Sequence, residues 1–147
     1  MNKAEYAKLV KKTAPKSKIV YDCVKAFWVG GTICLLGEII VIALMYFFEF
    51  EREIAGTWTS IILIFLSAFL TGLGLYAKLG AYAGAGSIVP ITGFANGVAS
   101  PAIEFKTEGW VLGLGAKMFV IAGPVIVYGT VASVVYGVIY WLMQMIR

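Results

Sequence analysis

Catalysis and metal binding need ionisable or nucleophilic side chains close together, and this sequence has few of them. It has 147 residues and no His. Cys23 and Cys34 are eleven residues apart. On one continuous helix that spacing is about 16 Å, too far for a disulfide, so both read as small apolar residues. No acids cluster in an apolar pocket, and no Ser or Cys stands beside a base, so no catalytic residue, metal ligand or cofactor is assigned. The expectation is a protein without enzymatic chemistry. Two features remain that could act on a solute: Glu38, alone within an apolar run, and an uncharged Gly- and Pro-rich stretch over residues 79–103.

The elements that must position these features follow from the distribution of charge. Hydrophobic residues make up 61% of the chain and charged ones 14%. Residues 26–48, 54–77, 79–103 and 118–146 contain one side chain charged at neutral pH, Glu38. A bilayer core is crossed by about 20 apolar residues in helical form, and a chain this short cannot bury four such stretches in a soluble core. The sequence predicts an all-α polytopic integral membrane protein. Three transmembrane helices are expected, at about 26–48, 58–77 and 122–145, with 79–103 as a broken fourth membrane segment. Residues 1–25 form a basic N-terminal segment and 26–147 a single membrane domain.

The net charge of +4 does not indicate a nucleic-acid binder. Residues 1–25 carry seven lysines against Glu5 and Asp22, or +5, and the remainder of the chain carries −1. This tail reads as a topology signal that also meets the lipid surface. It is not a cleaved signal peptide, because the apolar run after it is a full span with no small-residue cleavage site at a suitable distance. Across the first span, residues 49–53 carry −2. The positive-inside rule therefore places the N-terminus in the cytoplasm and this loop outside.

Residues 79–103 contain five glycines and two prolines, which makes one unbroken helix a poor prospect. Irregular backbone at membrane depth is tolerated only where it is buried in protein or lines a water-filled cavity. The segment is expected to be re-entrant or broken, with a full kinked crossing or an extramembrane loop as alternatives. A re-entrant segment keeps Lys106 and Lys117 on the N-terminal side and Arg147 opposite, so the positive-inside rule favours it by two bases to one. Lys117 and Pro124 are expected to divide the last stretch into a short amphipathic or half-inserted helix near 110–122 and the final span. Residues 25–31 echo 117–123, and 56–62 echo 129–135, but the separations differ, which argues against a duplicated transporter repeat.

Candidate pathway residues are Glu38 together with Ala85, Gly86, Ser87, Pro90, Thr92 and Asn96. A bent backbone here can turn N–H groups or half-helix N-termini towards an anion, or carbonyls towards a cation. Gly30 and Cys34 share a helical face with Glu38, Ser67, Thr71 and Gly74 form a second small-residue face, and Thr130, Ser133 and Gly137 form a third. Such faces let helices approach closely. All three are expected to converge on the Gly-rich segment.

The strings at 29–34, 72–76 and above all 83–96, which reads AGAGSIVPITGFAN, resemble the SpoVA membrane proteins of spore-forming bacteria. The AC and AEb members share that middle, and the Lys-rich tail with residues 104–113 and Met118-Phe119 is closer to the AC side. The resemblance implies a subunit of the channel that moves dipicolinic acid with calcium across the spore inner membrane, inward in sporulation and outward in germination. It implies two partners, the membrane protein AEb and the soluble thiolase-like AD protein. It also implies Gln as the usual residue where Glu38 stands. Other functions that fit these residues are a tension-gated small-solute channel and a structural anchor that recruits a soluble partner.

Overall fold

A computed structural model describes Lys3, Glu5, Tyr6 and residues 18–146, with the backbone alone for Ile146. Most of the basic tail lies outside the described residues. The described chain is helical almost throughout. Its elements are α1 (Ile19–Phe48), α2 (Arg52–Gly72), α3 (Leu75–Ala83), α4 (Ala85–Ile88), α5 (Ile91–Glu104) and α6 (Ala116–Ile146). A 3-10 turn at Lys106–Glu108 and a π-helical stretch at Trp110–Gly115 join the last two.

Three helical stretches, Ile19–Phe48, Arg52–Gly72 and Trp110–Met145, are long and apolar enough to cross a membrane. Apart from the charged Asp22, Lys25, Glu38 and Lys117, both α1 and α6 are apolar on every side, as suits a helix in contact with lipid. α1 ends at Glu49, whose φ of 54° turns the chain into a three-residue connection before α2. The two helices are antiparallel. A Cβ added to Gly37 would stand 3.6 Å from Leu63 Cδ1 and 4.0 Å from Thr59 Cγ2, so α2 packs directly on this glycine.

The second helix differs from the expected 58–77 span at both ends. It begins at Arg52 and stops at Gly72, because Gly74 adopts φ 71°, a left-handed conformation that ends the helix. The irregular region therefore starts about five residues earlier than its composition indicated, and Tyr76 falls inside it. A second break follows at Gly84, with φ 53° and ψ −125°, a backbone state open to glycine and not to L side chains. A third follows at Pro90, after which α5 runs for 14 residues.

Contacts along α5 give its direction. Thr92 meets Ser67 and Asn96 meets Thr71, so α5 runs alongside α2 in the same sense. Residues 73–104 therefore leave the end of α2, double back, and return to the same end of the bundle. After the turn at Gly109 the chain reverses. Gly113 packs on the Phe105 carbonyl and Ile121 on Gly97, which makes α6 antiparallel to α5.

The expected division at Lys117 and Pro124 is absent. Residues 110–146 form one continuous π- and α-helical rod with Pro124 inside it. The proline removes one backbone hydrogen bond, but uninterrupted apolar helix on both sides keeps the rod together, as membrane helices permit.

Buried positions are occupied mainly by small and hydroxyl residues, Ala55, Thr59, Ser67, Ala83, Ser87, Thr92, Ala95 and Ala122, with Val41 and Tyr76 the larger exceptions. Bulky apolar side chains point outward, Phe27 and Leu112 each 81% exposed. In water this arrangement would leave a large apolar surface uncovered. In lipid it is the ordinary pattern of close helix packing through small residues.

Candidate functional site

The residues singled out over 80–97 meet α2 in one buried polar seam. Ser67 and Thr71 lie one turn apart on α2 and face α5. The Ser67 hydroxyl donates to the Thr92 carbonyl oxygen at 2.5 Å. The Thr71 hydroxyl donates to the Ser67 carbonyl at 2.7 Å and stands 2.9 Å from Asn96 Oδ1. Tyr76 reaches the same place from α3. Its hydroxyl donates to the Ser87 carbonyl oxygen at 2.8 Å and lies 3.0 Å from Thr92 Oγ1. Ser87, fully buried, donates to the Gly84 carbonyl at 3.0 Å.

One of these bonds answers a break in the helix. The chain bends at 84 and again at 89–90, and the Ser87 carbonyl near the end of the short α4 takes the Tyr76 hydroxyl as its partner. The Ser67 and Thr71 hydroxyls tie α2 to α5 across the seam. Among the described residues every buried side-chain N or O has a hydrogen-bond partner. A satisfied network of this kind specifies one arrangement of the bend.

The seam is held against α1 by direct backbone contact. A Cβ on Gly86 would overlap the Ala26 carbonyl, and one on Gly30 would come within 3.2 Å of the Gly86 carbonyl. Gly93 is equally confined, since a Cβ there would overlap the Ile88 carbonyl. Beside this contact lies a groove of about 330 Å³ bordered by Gly30, Cys34, Ala85, Gly86, Val89 and Pro90. Ala85 is exposed in it, Pro90 and Asn96 are half-buried, and Gly86, Ser87 and Thr92 are buried.

The other residues named from sequence lie elsewhere. Glu38 is not part of the seam: its Oε1 accepts from Arg52 Nη2 at 2.9 Å in an exposed ion pair that ties α1 to the start of α2. Gly74 is a hinge, with nothing within 4 Å of an added Cβ. Thr130, Ser133 and Gly137 are exposed on α6. The Thr130 hydroxyl bonds back to the Ile126 carbonyl, and a Cβ on Gly137 would meet nothing within 4 Å. Two of the three small-residue faces therefore converge on the Gly-rich segment, and the third does not. α6 packs on α5 near its own start, and among the described residues Thr130, Ser133 and Gly137 further along it stay exposed.

Sequence reasoning missed Tyr76 because it was placed within the second span. Its position two residues after Gly74 was the available signal. Arg52 was counted as part of a charged loop and not as the partner of Glu38. The seam contains hydroxyls, one carboxamide and carbonyls, and no carboxylate or amine. Among the described residues no three His, Cys, Asp or Glu side chains converge as a metal site.

An interior of small polar residues, an exterior of large apolar ones and three helices of membrane-crossing length define an all-α membrane protein. Residues 22–139 match the family described as SpoVAC/SpoVAEB sporulation membrane protein. The chain is 48% identical over 142 residues to stage V sporulation protein AC of Bacillus subtilis (strain 168), covering 97% of this chain and 95% of that protein. The chain belongs to the SpoVAC/SpoVAEB family of sporulation membrane proteins. No solved structure matches it.

Proposed function

We propose that this protein is a polytopic membrane subunit of the channel that carries dipicolinic acid, with calcium, across the spore inner membrane, inward during sporulation and outward during germination. It acts with the membrane protein AEb and the soluble AD protein. The N-terminus and residues 104–109 face the cytoplasm, and the connection at 49–51 faces the opposite side.

The observation that carries this reading is the doubling back of residues 73–104 beside α2. Both ends of the excursion lie at one end of the bundle, which supports reading it as a re-entrant segment. Its tip places bent backbone and the start of α5 among the spanning helices. Discontinuous helices in transporters put solute sites at such points, where helix N-termini and free carbonyls replace fixed charges. Dipicolinate is a flat dianion, and a path lined by neutral dipoles suits it better than one lined by carboxylates.

Cysteine accessibility tests the reading. In a chain with Cys23 and Cys34 replaced, Ala85→Cys should react with aqueous thiol reagents at rest. Ser87→Cys, fully buried, and Asn96→Cys should gain reactivity when the assembled complex moves its cargo. Inaccessibility of all three at rest and during transport would overturn a solute path along the tip of the doubled-back segment.

A further inference from the structure

Lys25 stands where the basic tail meets the apolar run. It is half-buried on α1. Its Nζ lies 4.3 Å from the centre of the Tyr21 ring, one turn earlier on α1, and 4.5 Å from the centre of the Tyr82 ring on α3. One ammonium thus faces two aromatic rings, one from each of two packed helices. Asp22, the acid nearest in sequence, makes no salt bridge with it. Ring faces attract a cation without neutralising it, so the charge stays available to an anion.

A cleft of about 420 Å³ opens beside this cluster between α1 and α3, bordered by Trp28, Val29, Thr32, Ile33, Leu79 and Tyr82. It contains no acid. Its polar side chain, Thr32, is already bonded to the Trp28 carbonyl at 2.8 Å. An indole on α1 and a phenol on α3 border the cleft; Lys25 does not border it and adjoins it through the Tyr82 ring, over which its ammonium lies. Tyr21, Lys25 and Trp28 recur at helical spacing on one face of α1.

We propose that Lys25, Tyr21, Tyr82 and Trp28 form a recognition site for a small planar carboxylate, at the end of the bundle where α1 begins. The carboxylate takes a charge-assisted hydrogen bond from Lys25, which is stronger than a contact with one ring face. The ring of the ligand stacks on the aromatic walls. The ligand class rests on the transport reading above, whereas the site rests on the cluster and its cleft. Because Lys25 also links α1 to Tyr82, an anion that draws it away removes one tie between α1 and the doubled-back segment.

The same ammonium would attract a free phosphate or an anionic lipid headgroup, and the test separates these. The full chain is placed in phosphatidylcholine nanodiscs with Trp58, Trp110 and Trp141 changed to Phe, leaving Trp28 as the reporter. Titration with pyridine-2,6-dicarboxylate should quench Trp28 saturably. Lys25→Gln should weaken binding about tenfold or more, and Lys25→Arg should retain most of it, since the charge-assisted bond is kept. Tyr82→Leu should weaken it by about threefold, and Lys106→Gln should leave it unchanged.

Unaltered binding by Lys25→Gln overturns the proposal. So does equal competition by inorganic phosphate, which has no ring, or loss of binding when phosphatidylglycerol replaces half the lipid. Dicarboxylate flux through the assembled complex is measured separately. Flux that survives without Trp28 quenching removes this site and leaves the transport reading intact, and quenching without flux does the reverse.

Discussion

The Tyr76 oxygen lies between the Ser87 carbonyl and the Thr92 hydroxyl, at 2.8 and 3.0 Å, so one side chain near the start of the doubled-back segment holds both sides of its tip. Tyr76 is 4% exposed. Tyr76→Phe keeps the ring but strips the buried Ser87 carbonyl of its side-chain partner, an expected cost of about 1–3 kcal/mol. Ser67→Ala should cost less, about 0.5–1.5 kcal/mol, because the Thr92 carbonyl it serves also lies within α5. Thermal unfolding of both variants in detergent tests this order. A Tyr76→Phe protein as stable as the parent would show that the tip is held by something other than this hydroxyl.

The glycines divide by what stands opposite them. Gly86→Ala drives a methyl into the Ala26 carbonyl of α1, where only backbone can yield. The expected penalty is about 1–3 kcal/mol or more, together with separation of α4 from α1. At Gly30 the methyl comes to 3.2 Å of the Gly86 carbonyl, a conflict that a small shift relieves and that the higher helix propensity of Ala partly offsets. Gly31 faces open space, so Gly31→Ala should be neutral or stabilise by up to about 1 kcal/mol. A uniform response across the three would be inconsistent with backbone contact at Gly86.

How much of this was legible in the sequence depends on whether a feature is local. The long apolar runs of α1 and α6 are local, and hydropathy found both. The breaks within 79–103 follow from Gly and Pro, but the break at Gly74 does not stand out from composition, because Gly72 and Gly74 also suit a packing face. Which neighbour a hydroxyl meets is not local at all. Ser67 and Thr71 read as one face among three alike, and only the return of α5 beside α2 separates them from Thr130 and Ser133. Pro124 shows the opposite error, a strong breaker overridden by the apolar helix around it.

Glu38 and Arg52 form the one salt bridge between described residues that joins two of the long helices, with side chains 47% and 70% exposed. In water such a pair contributes about 0.2–1 kcal/mol. A double-mutant cycle with Glu38→Gln and Arg52→Gln should give a coupling of that size in detergent and a larger one in a bilayer, where neither charge can be left alone cheaply. Equal coupling in the two media would place the pair in contact with water. Loss of Asn96→Cys reactivity in Glu38→Gln would instead connect the pair to the seam, which the geometry does not predict.

The path of residues 73–104 makes a topological prediction that separates a re-entrant segment from a crossing one. Lys18 precedes α1, Glu108 follows α5, and Gln144 lies near the end of α6. Antiparallel pairing of α1 with α2, the shared direction of α2 and α5, and the reversal into α6 put Lys18 and Glu108 at one end of the bundle and Gln144 at the other. Single cysteines at 18, 108 and 144 in a background without Cys23 and Cys34, labelled with an impermeant maleimide in sealed right-side-out vesicles, read this directly. Labelling at 144 alone is the expected result, with 18 and 108 reacting only after the membrane is opened. Labelling at 108 but not at 144 in sealed vesicles would mean that the segment crosses, and the bundle would then have four spans with its C-terminal end in the cytoplasm.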